Sequence, residues 1–157
     1  MIYIGIDPGA TGALVALFKR SEAFATTPMP ATMPEILDWF RRVATLDAHA
    51  VIERVGGYVR GVDAPGAAMF NFGKGYGALL MALCAAGVPH EEVTPNVWMR
   101  GLGISPRKKG EARKDWKSRL KAKAQQLFPR EKVTLVTADA LLIAEYCRRK
   151  MTGTLEK

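Results

Sequence analysis

Two cysteines and two histidines in 157 residues are too few for a disulfide framework or a zinc cluster. Cys84 and Cys147 lie far apart in sequence, each in a helix-like segment, and read as core thiols of a reducing compartment. No run reaches the ~18 consecutive apolar residues of a membrane span. The chain opens directly on a strand-like run, so no signal peptide is expected. These absences point to a cytoplasmic protein with no membrane partner. No internal repeat occurs, and nothing is low in complexity beyond the tail 151–157. Acid is also scarce: 15 Asp+Glu stand against 23 Lys+Arg, a formal net charge of +8. Much of that excess falls in residues 100–123 and 148–150. Such a field suits a polyanion, nucleic acid first, although a solvated helix face produces the same kind of run.

What is present is enough for one domain over 1–157, with 48% apolar residues to fill a core. The first stretch organises the rest. Ile2-Tyr3-Ile4-Gly5-Ile6 is apolar and β-favouring, and it runs into one carboxylate, Asp7, before Pro8 and Gly9. This predicts a buried strand with Asp7 at its tip and a tight turn over Gly9–Gly12. Residues 12–18 and 23–27 follow as two more strands, with a turn at Lys19–Glu22, making an antiparallel meander. Pro30-Ala-Thr-Met-Pro34 opens a helix whose Ile36, Leu37, Phe40 and Val43 recur at a 3–4 spacing. Ala50-Val51-Ile52-Glu53 is the next strand; arriving after a crossover helix, it is expected parallel to the first.

Four glycines and a proline over 56–66 predict a loop beside Glu53. A long helix over 67–86 carries Gly73, Gly75, Gly77, Ala78 and Ala82, small residues that suggest close approach to the sheet or to another helix. Gly73-Lys74-Gly75-Tyr76-Gly77 resembles a phosphate loop, but it has neither a strand before it nor Lys-Ser/Thr after it, so packing is the preferred reading. Glu91–Thr94 is a short strand, and Thr94-Pro95 is an N-cap with proline in the first helical turn. A flexible Gly/Pro/Lys loop is expected over 101–111. Residues 112–128 form a basic amphipathic helix with Trp116, Leu120, Ala124 and Leu127 on one side and Arg113, Lys117 and Lys121 towards another. Pro129 ends it, and a last helix begins near Thr137.

Three carboxylates stand in apolar surroundings: Asp7, Glu53 and Asp139. Each has a local explanation: turn N–H groups for Asp7, Arg54 or Arg60 for Glu53, the helix dipole for Asp139. Burying all three is costly unless cations compensate them, and oxygen-only ligands suit Mg²⁺ or Mn²⁺.

The ordered set Gly5-Ile6-Asp7-Pro8-Gly9, Val51-Ile52-Glu53, Phe72-Gly73 to Tyr76-Gly77, Val93-Thr94-Pro95…Trp98, Leu127-Phe128-Pro129 and Ala138-Asp139-Ala140-Leu141-Leu142-Ile143-Ala144-Glu145 resembles the RuvC-like Holliday junction resolvases of the RNase H/retroviral integrase superfamily, in the small phage-type branch. The resemblance covers nearly the whole chain. It implies an α/β, RNase H-like fold: a mixed five-stranded sheet, a three-strand antiparallel meander plus parallel strands, flanked by helices. It implies a metal-dependent crossover junction endodeoxyribonuclease acting on four-way or other branched DNA, as a homodimer, in the bacterial host cytoplasm if phage-encoded. Asp7, Glu53 and Asp139 match the metal ligands, with Asp7 bridging two Mg²⁺ ions per active site and Mn²⁺ as a substitute. Lys117, in Lys117-Ser118, matches the phosphate-contacting lysine, and Arg100 stands near the place of a second. Lys74, Arg100, Arg107, Lys108, Lys109, Arg113, Lys114 and Lys117 are the phosphate-tracking set. Helix 67–86 is the candidate dimer interface, with Phe70, Phe72 and Tyr76 available to it, to an unstacked base or to the core.

One departure stands out. The family carries a fourth acidic or histidine ligand three or four residues before the helix aspartate, where this chain has Val136 and Leu135. A weaker second metal site, a water, or a ligand from elsewhere are the alternatives. Two other readings stay open: a non-catalytic branched-DNA-binding protein, and a nucleotide-binding fragment of sugar-kinase/actin type, whose first phosphate segment Gly5-Ile-Asp-Pro-Gly-Ala-Thr-Gly12 also resembles. The latter needs a second, similar domain, for which this chain is too short.

Overall fold

The computed structural model describes residues 1–18, 24–44, 47–56 and 66–156. The expected turn at Lys19–Glu22, residues 57–65 of the glycine-rich loop, and with them Arg60, lie outside the described residues. Five strands form one sheet: β1 (Ile2–Asp7), β2 (Ala13–Phe18), β3 (Phe24–Pro28), β4 (Ala48–Glu53) and β5 (His90–Val93), in the order β3-β2-β1-β4-β5. β1–β2 and β2–β3 pair antiparallel; β1–β4 and β4–β5 pair parallel. The meander and the parallel fourth strand thus stand as the turn chemistry and the crossover helix predict. Among the described residues five helices flank the sheet: α1 (Met33–Val43), α2 (Gly66–Ala85), α3 (Pro95–Gly101), α4 (Arg113–Leu127) and α5 (Ala138–Thr152).

Side chains alternate across a strand, and that period decides what meets what. In β1, Ile2, Ile4 and Ile6 enter a core shared with Ile36, Trp39 and Phe40 of α1 and Leu79 and Leu83 of α2. Tyr3 enters the opposite core, with Val51 of β4, Trp98 of α3, Leu120 of α4 and the apolar length of α5. Asp7 shares the parity of Tyr3, and Glu53 that of Val51. The register Gly5↔Val51, Ile6↔Ile52 puts the two acids in one row at the strand ends. Both therefore belong to the α5 face.

α5 lies directly on β1. A Cβ at Gly5 would stand 2.1 Å from the Ala140 carbonyl oxygen and 2.2 Å from the Ala144 nitrogen. The missing side chain lets helix backbone touch strand backbone, and Ala138, Ala140 and Ala144 keep the helix side equally low. Gly9, with φ 113°, makes the turn after Asp7, and its carbonyl accepts from the Gly12 amide at 3.0 Å. α1 begins with a capping box in which Thr32 and Glu35 satisfy each other's end of the helix. Glu145 of α5 is buried, but Arg148 and Arg149 donate to its two oxygens at 2.7–2.8 Å, so its charge is compensated.

Some expectations are revised. Cys147 is buried, its thiol pushed up to about 12 by burial, but Cys84 is exposed on α2 and is no core thiol. Gly73, Gly75 and Gly77 have open space where a Cβ would go, so among the described residues they serve no close packing. The glycine string lies inside α2, not in a phosphate loop. Thr94 occupies the N-cap of α3 but makes no side-chain capping bond. The segment after α3 is tied down: Arg119 donates to its Ser105 and Pro106 carbonyls and to the Glu111 carboxylate, which also accepts from the Lys108 amide. No helix among the described residues is long and apolar enough to cross a membrane.

Gly5→Ala forces a methyl into helix backbone that cannot step aside without moving α5. Overpacking of this kind costs roughly 1–3 kcal/mol or more, and the substitution is expected to lower the urea midpoint accordingly without changing m. An unchanged midpoint would show that α5 rides on β1 more loosely than this contact implies.

Candidate active site

Three elements end at one place. β1 delivers Asp7, β4 delivers Glu53, and the first turn of α5 delivers Asp139. Glu53 is pinned by Trp98, whose indole Nε1 donates to Glu53 Oε2 at 2.8 Å. Trp98 is itself only 1% exposed, so this carboxylate is the partner its N–H needs inside the core. Asp139 accepts from the Lys117 ammonium through Oδ2. Its other oxygen, Oδ1, is buried with no hydrogen-bond partner among the described residues. A carboxylate oxygen left dry and unpaired costs free energy, and natural proteins keep such groups chiefly where function needs them.

The electrostatics show that these groups share one field. Burial, then the charges of Asp139 and Glu53, push the Asp7 carboxyl up to about 8, against the pull of Lys117. Burial also raises Glu53, opposed by the Trp98 hydrogen bond and joined by Asp139. For Lys117, burial works against the charge, yet Asp139, Asp7 and Glu53 together outweigh it and the ammonium is held above its ordinary value. So Lys117, placed by sequence on a different side of α4 from its apolar stripe, turns half-buried into the acids. Among the described residues no group of three or more His, Cys, Asp or Glu side chains is gathered closely enough to hold a metal ion as it stands. The Lys117 ammonium pairs with one of the three carboxylates, Asp139. The unpaired Asp139 Oδ1 and the raised Asp7 are nonetheless what a cation would satisfy, and an all-oxygen donor set fits a hard divalent ion.

The proposed phosphate-tracking residues fall into three groups. Lys108, Lys109, Arg113 and Lys114 are exposed along the loop and first turn leading to Lys117. Arg107 is exposed too, but its Nε and one Nη donate to the Glu111 carbonyl at 2.9 and 2.7 Å, so part of it serves the loop itself. Arg100 is exposed on α3 two residues beyond Trp98, hence on the side of that helix turned from Glu53. Lys74 lines a cleft of about 720 Å³ with Gly9, Met33 and Phe72. Leu135 and Val136 are exposed and offer no ligand, while the Thr134 and Thr137 hydroxyls bond each other at 2.9 Å.

Sequence reasoning passed over Trp98 as a working residue. A tryptophan just after a parallel strand neighbouring Glu53 was the available signal, since a buried indole N–H must find an acceptor. Tyr76, named there for the interface, an unstacked base or the core, instead donates its hydroxyl to Glu92 at 2.7 Å close to Arg54 and Glu53. Phe72 stacks on Tyr76 with centroids 6.5 Å apart and lies under Gly9. Phe70, by contrast, is 73% exposed and joins no core.

The sheet order, the helix lying on β1 and the three acids at its end define an α/β protein of RNase H-like fold, and within that class a RuvC-like one. The chain is similar to the structure of Thermus thermophilus RuvC, at 17% identity and TM-score 0.61 over 99% of both chains. It is similar also to T. thermophilus RuvC in complex with a Holliday junction substrate, at 18% identity and TM-score 0.64, again over 99% of both. No protein-family profile and no curated protein sequence matches the chain.

The raised Asp7 makes a prediction for the metal-free protein. A carboxyl with an unfolded value of 3.8 and a folded value of about 8 contributes stability below the former and loses it as pH climbs to the latter. Asp7→Asn, which has nothing to ionise, is therefore expected to melt above the parent in chelator, by a margin that widens from pH 5 to pH 8. A margin constant with pH would mean that Asp7 ionises freely.

Proposed function

We propose that this chain is a structure-selective endonuclease that resolves Holliday junctions, and other branched DNA, by metal-dependent phosphodiester hydrolysis. The observation that carries this reading is the convergence of Asp7, Glu53 and Asp139 around Lys117 at one end of a RuvC-like sheet. Asp7, Glu53 and Asp139 would hold two Mg²⁺ ions, or Mn²⁺ in their place. When bound, such ions activate water for attack on phosphorus and neutralise charge on the leaving 3′ oxygen. The chain's own residues supply the rest. Asp7 is held by a strand end and a tight turn, so its position is set before substrate arrives. Trp98 fixes the rotamer of Glu53. Lys117, released from Asp139, would offset charge growing on the non-bridging phosphate oxygens.

Substrate contact is supported by charge and its placement. Arg113 and Lys114 sit in the first turn of α4, where cations oppose the helix dipole and add nothing to stability. That placement suits a surface that meets anions. Paired cuts require two sites, and α2 is the surface we assign to a twofold homodimer. It exposes Phe70 and Met81, and Gly73, Gly75 and Gly77 leave room for a second backbone to approach. A non-catalytic junction-binding role is the second reading, favoured by the side chains at 135 and 136 that cannot ligate.

Nicking of a four-way junction, a fork and a linear duplex, each with Mg²⁺ and with Mn²⁺, tests the proposal. Cleavage of branched substrates is expected, and Asp7→Asn is expected to abolish it while binding persists. Binding without cleavage in either metal would select the non-catalytic reading; cleavage by Asp7→Asn would sink the assignment of the site.

A further inference from the structure

The segment between α3 and α4 has no regular secondary structure, yet it is tied to α4 by one side chain. Arg119 lies half-buried on α4, two residues past Lys117. Its Nε and one Nη grip the two carboxylate oxygens of Glu111 at 3.1 and 3.0 Å. Its remaining donors reach the Ser105 carbonyl at 3.1 Å and the Pro106 carbonyl at 3.2 Å. The guanidinium also lies 4.5 Å from the centre of the Trp116 ring. Glu111 completes the knot: its Oε2 accepts from the Lys108 amide at 2.9 Å, and its carbonyl accepts from Arg107. The Glu111 carboxyl is accordingly held below its ordinary value, first by the Arg119 hydrogen bond. Between the tied points, Lys108 and Lys109 are exposed, and the Lys108 charge adds to the pull on the Glu111 carboxyl.

We infer that Glu111 and Arg119 form a latch that positions the loop lysines, Lys108 and Lys109, on the same rigid body as Lys117, so that DNA phosphates are gripped in fixed register with the scissile one. The inference rests on the branched-DNA reading above. Arg119 and Glu111 are positioning residues: their own donors and acceptors are spent on the loop. A planar fork that makes four hydrogen bonds and stacks on an indole is a task for arginine, which lysine cannot perform.

Charge arithmetic makes the test decisive. Glu111→Ala leaves the protein one unit more positive, so a surface that merely attracts DNA would bind more tightly. A latch predicts the reverse. In the Asp7→Asn background, binding of a labelled four-way junction is measured by anisotropy across a salt series. Glu111→Ala is expected to weaken binding on the order of tenfold near 0.1 M salt and to reduce the log–log salt slope by about 1.8, the loss of two phosphate contacts. Arg119→Lys, which keeps the charge, is expected to do the same. Lys108→Ala/Lys109→Ala added to Arg119→Lys should cost little more, because those contacts are already lost. Trypsin, cutting after Arg107, Lys108 and Lys109, should open Glu111→Ala faster than the parent.

Binding of Glu111→Ala as tight as the parent or tighter overturns the latch and leaves the junction reading intact. So does a full further loss on removing the two lysines from Arg119→Lys, or unchanged trypsin cleavage. A parent that binds no branched DNA overturns the junction reading, and the latch falls with it.

Discussion

Everything at the site depends on how closely α5 can approach β1. Two backbones come into contact only where both partners have almost no side chain, and Gly5 opposite Ala140 and Ala144 meets that condition. The contact sets the height of the helix above the sheet, and so the reach of Asp139 towards the strand ends. A residue with a Cβ at position 5 would lift the helix and carry Asp139 away from Asp7 and Glu53. Packing in this protein is therefore also the ruler for its chemistry: the tolerance that a close-packed interior allows is a few tenths of an ångström, about what a shared ion demands.

Against that rigid frame the site itself is poorly satisfied. Elsewhere the buried charge is compensated, as at Glu145 with its two arginines. Among the described residues, three acids at the strand ends face the Lys117 ammonium, Asp7 is driven towards neutrality, and one oxygen of Asp139 has no hydrogen-bond partner. Local consistency is given up at this one point, and in proteins that is where function concentrates. Lys117 is the exception that makes the arrangement tolerable, since it stands among the acids and lowers the cost of keeping them together. Its neighbour two positions on, Arg119, uses the same helix to hold the basic loop, so α4 carries both the cation of the site and the anchor of the surface beside it.

Much of this was legible in the residues. Apolar runs ending at Asp7 and at Glu53 identified strands with acids at their tips. The crossover helix between them implied parallel pairing, while the shared face of the two acids followed only from the observed register. The apolar run after Asp139 identified a buried helix with its acid in the first turn. What escaped was of another kind. Trp98 stood in the motif set, but its hydrogen bond to Glu53 could not be read there, because that partner lies 45 positions earlier in the chain. The glycines of α2 suggested close packing, but a glycine has no pattern that tells an inner face from an outer one, and theirs is open. Cys84 misled for a similar reason: its helix is apolar nearly all round, so periodicity could not assign its side.

The sequence by itself determined the elements, their order and the acids at their ends, because each follows from interactions between residues near in the chain. Tertiary structure alone decided which cation answers which acid. Lys117 rather than a neighbouring lysine meets Asp139, Trp98 rather than Arg54 holds Glu53, and Arg119 of α4 meets Glu111 of the loop. Charge and hydrogen bonding act through space and depend on distances of a few ångströms. Those distances exist only once the helices have settled on the sheet.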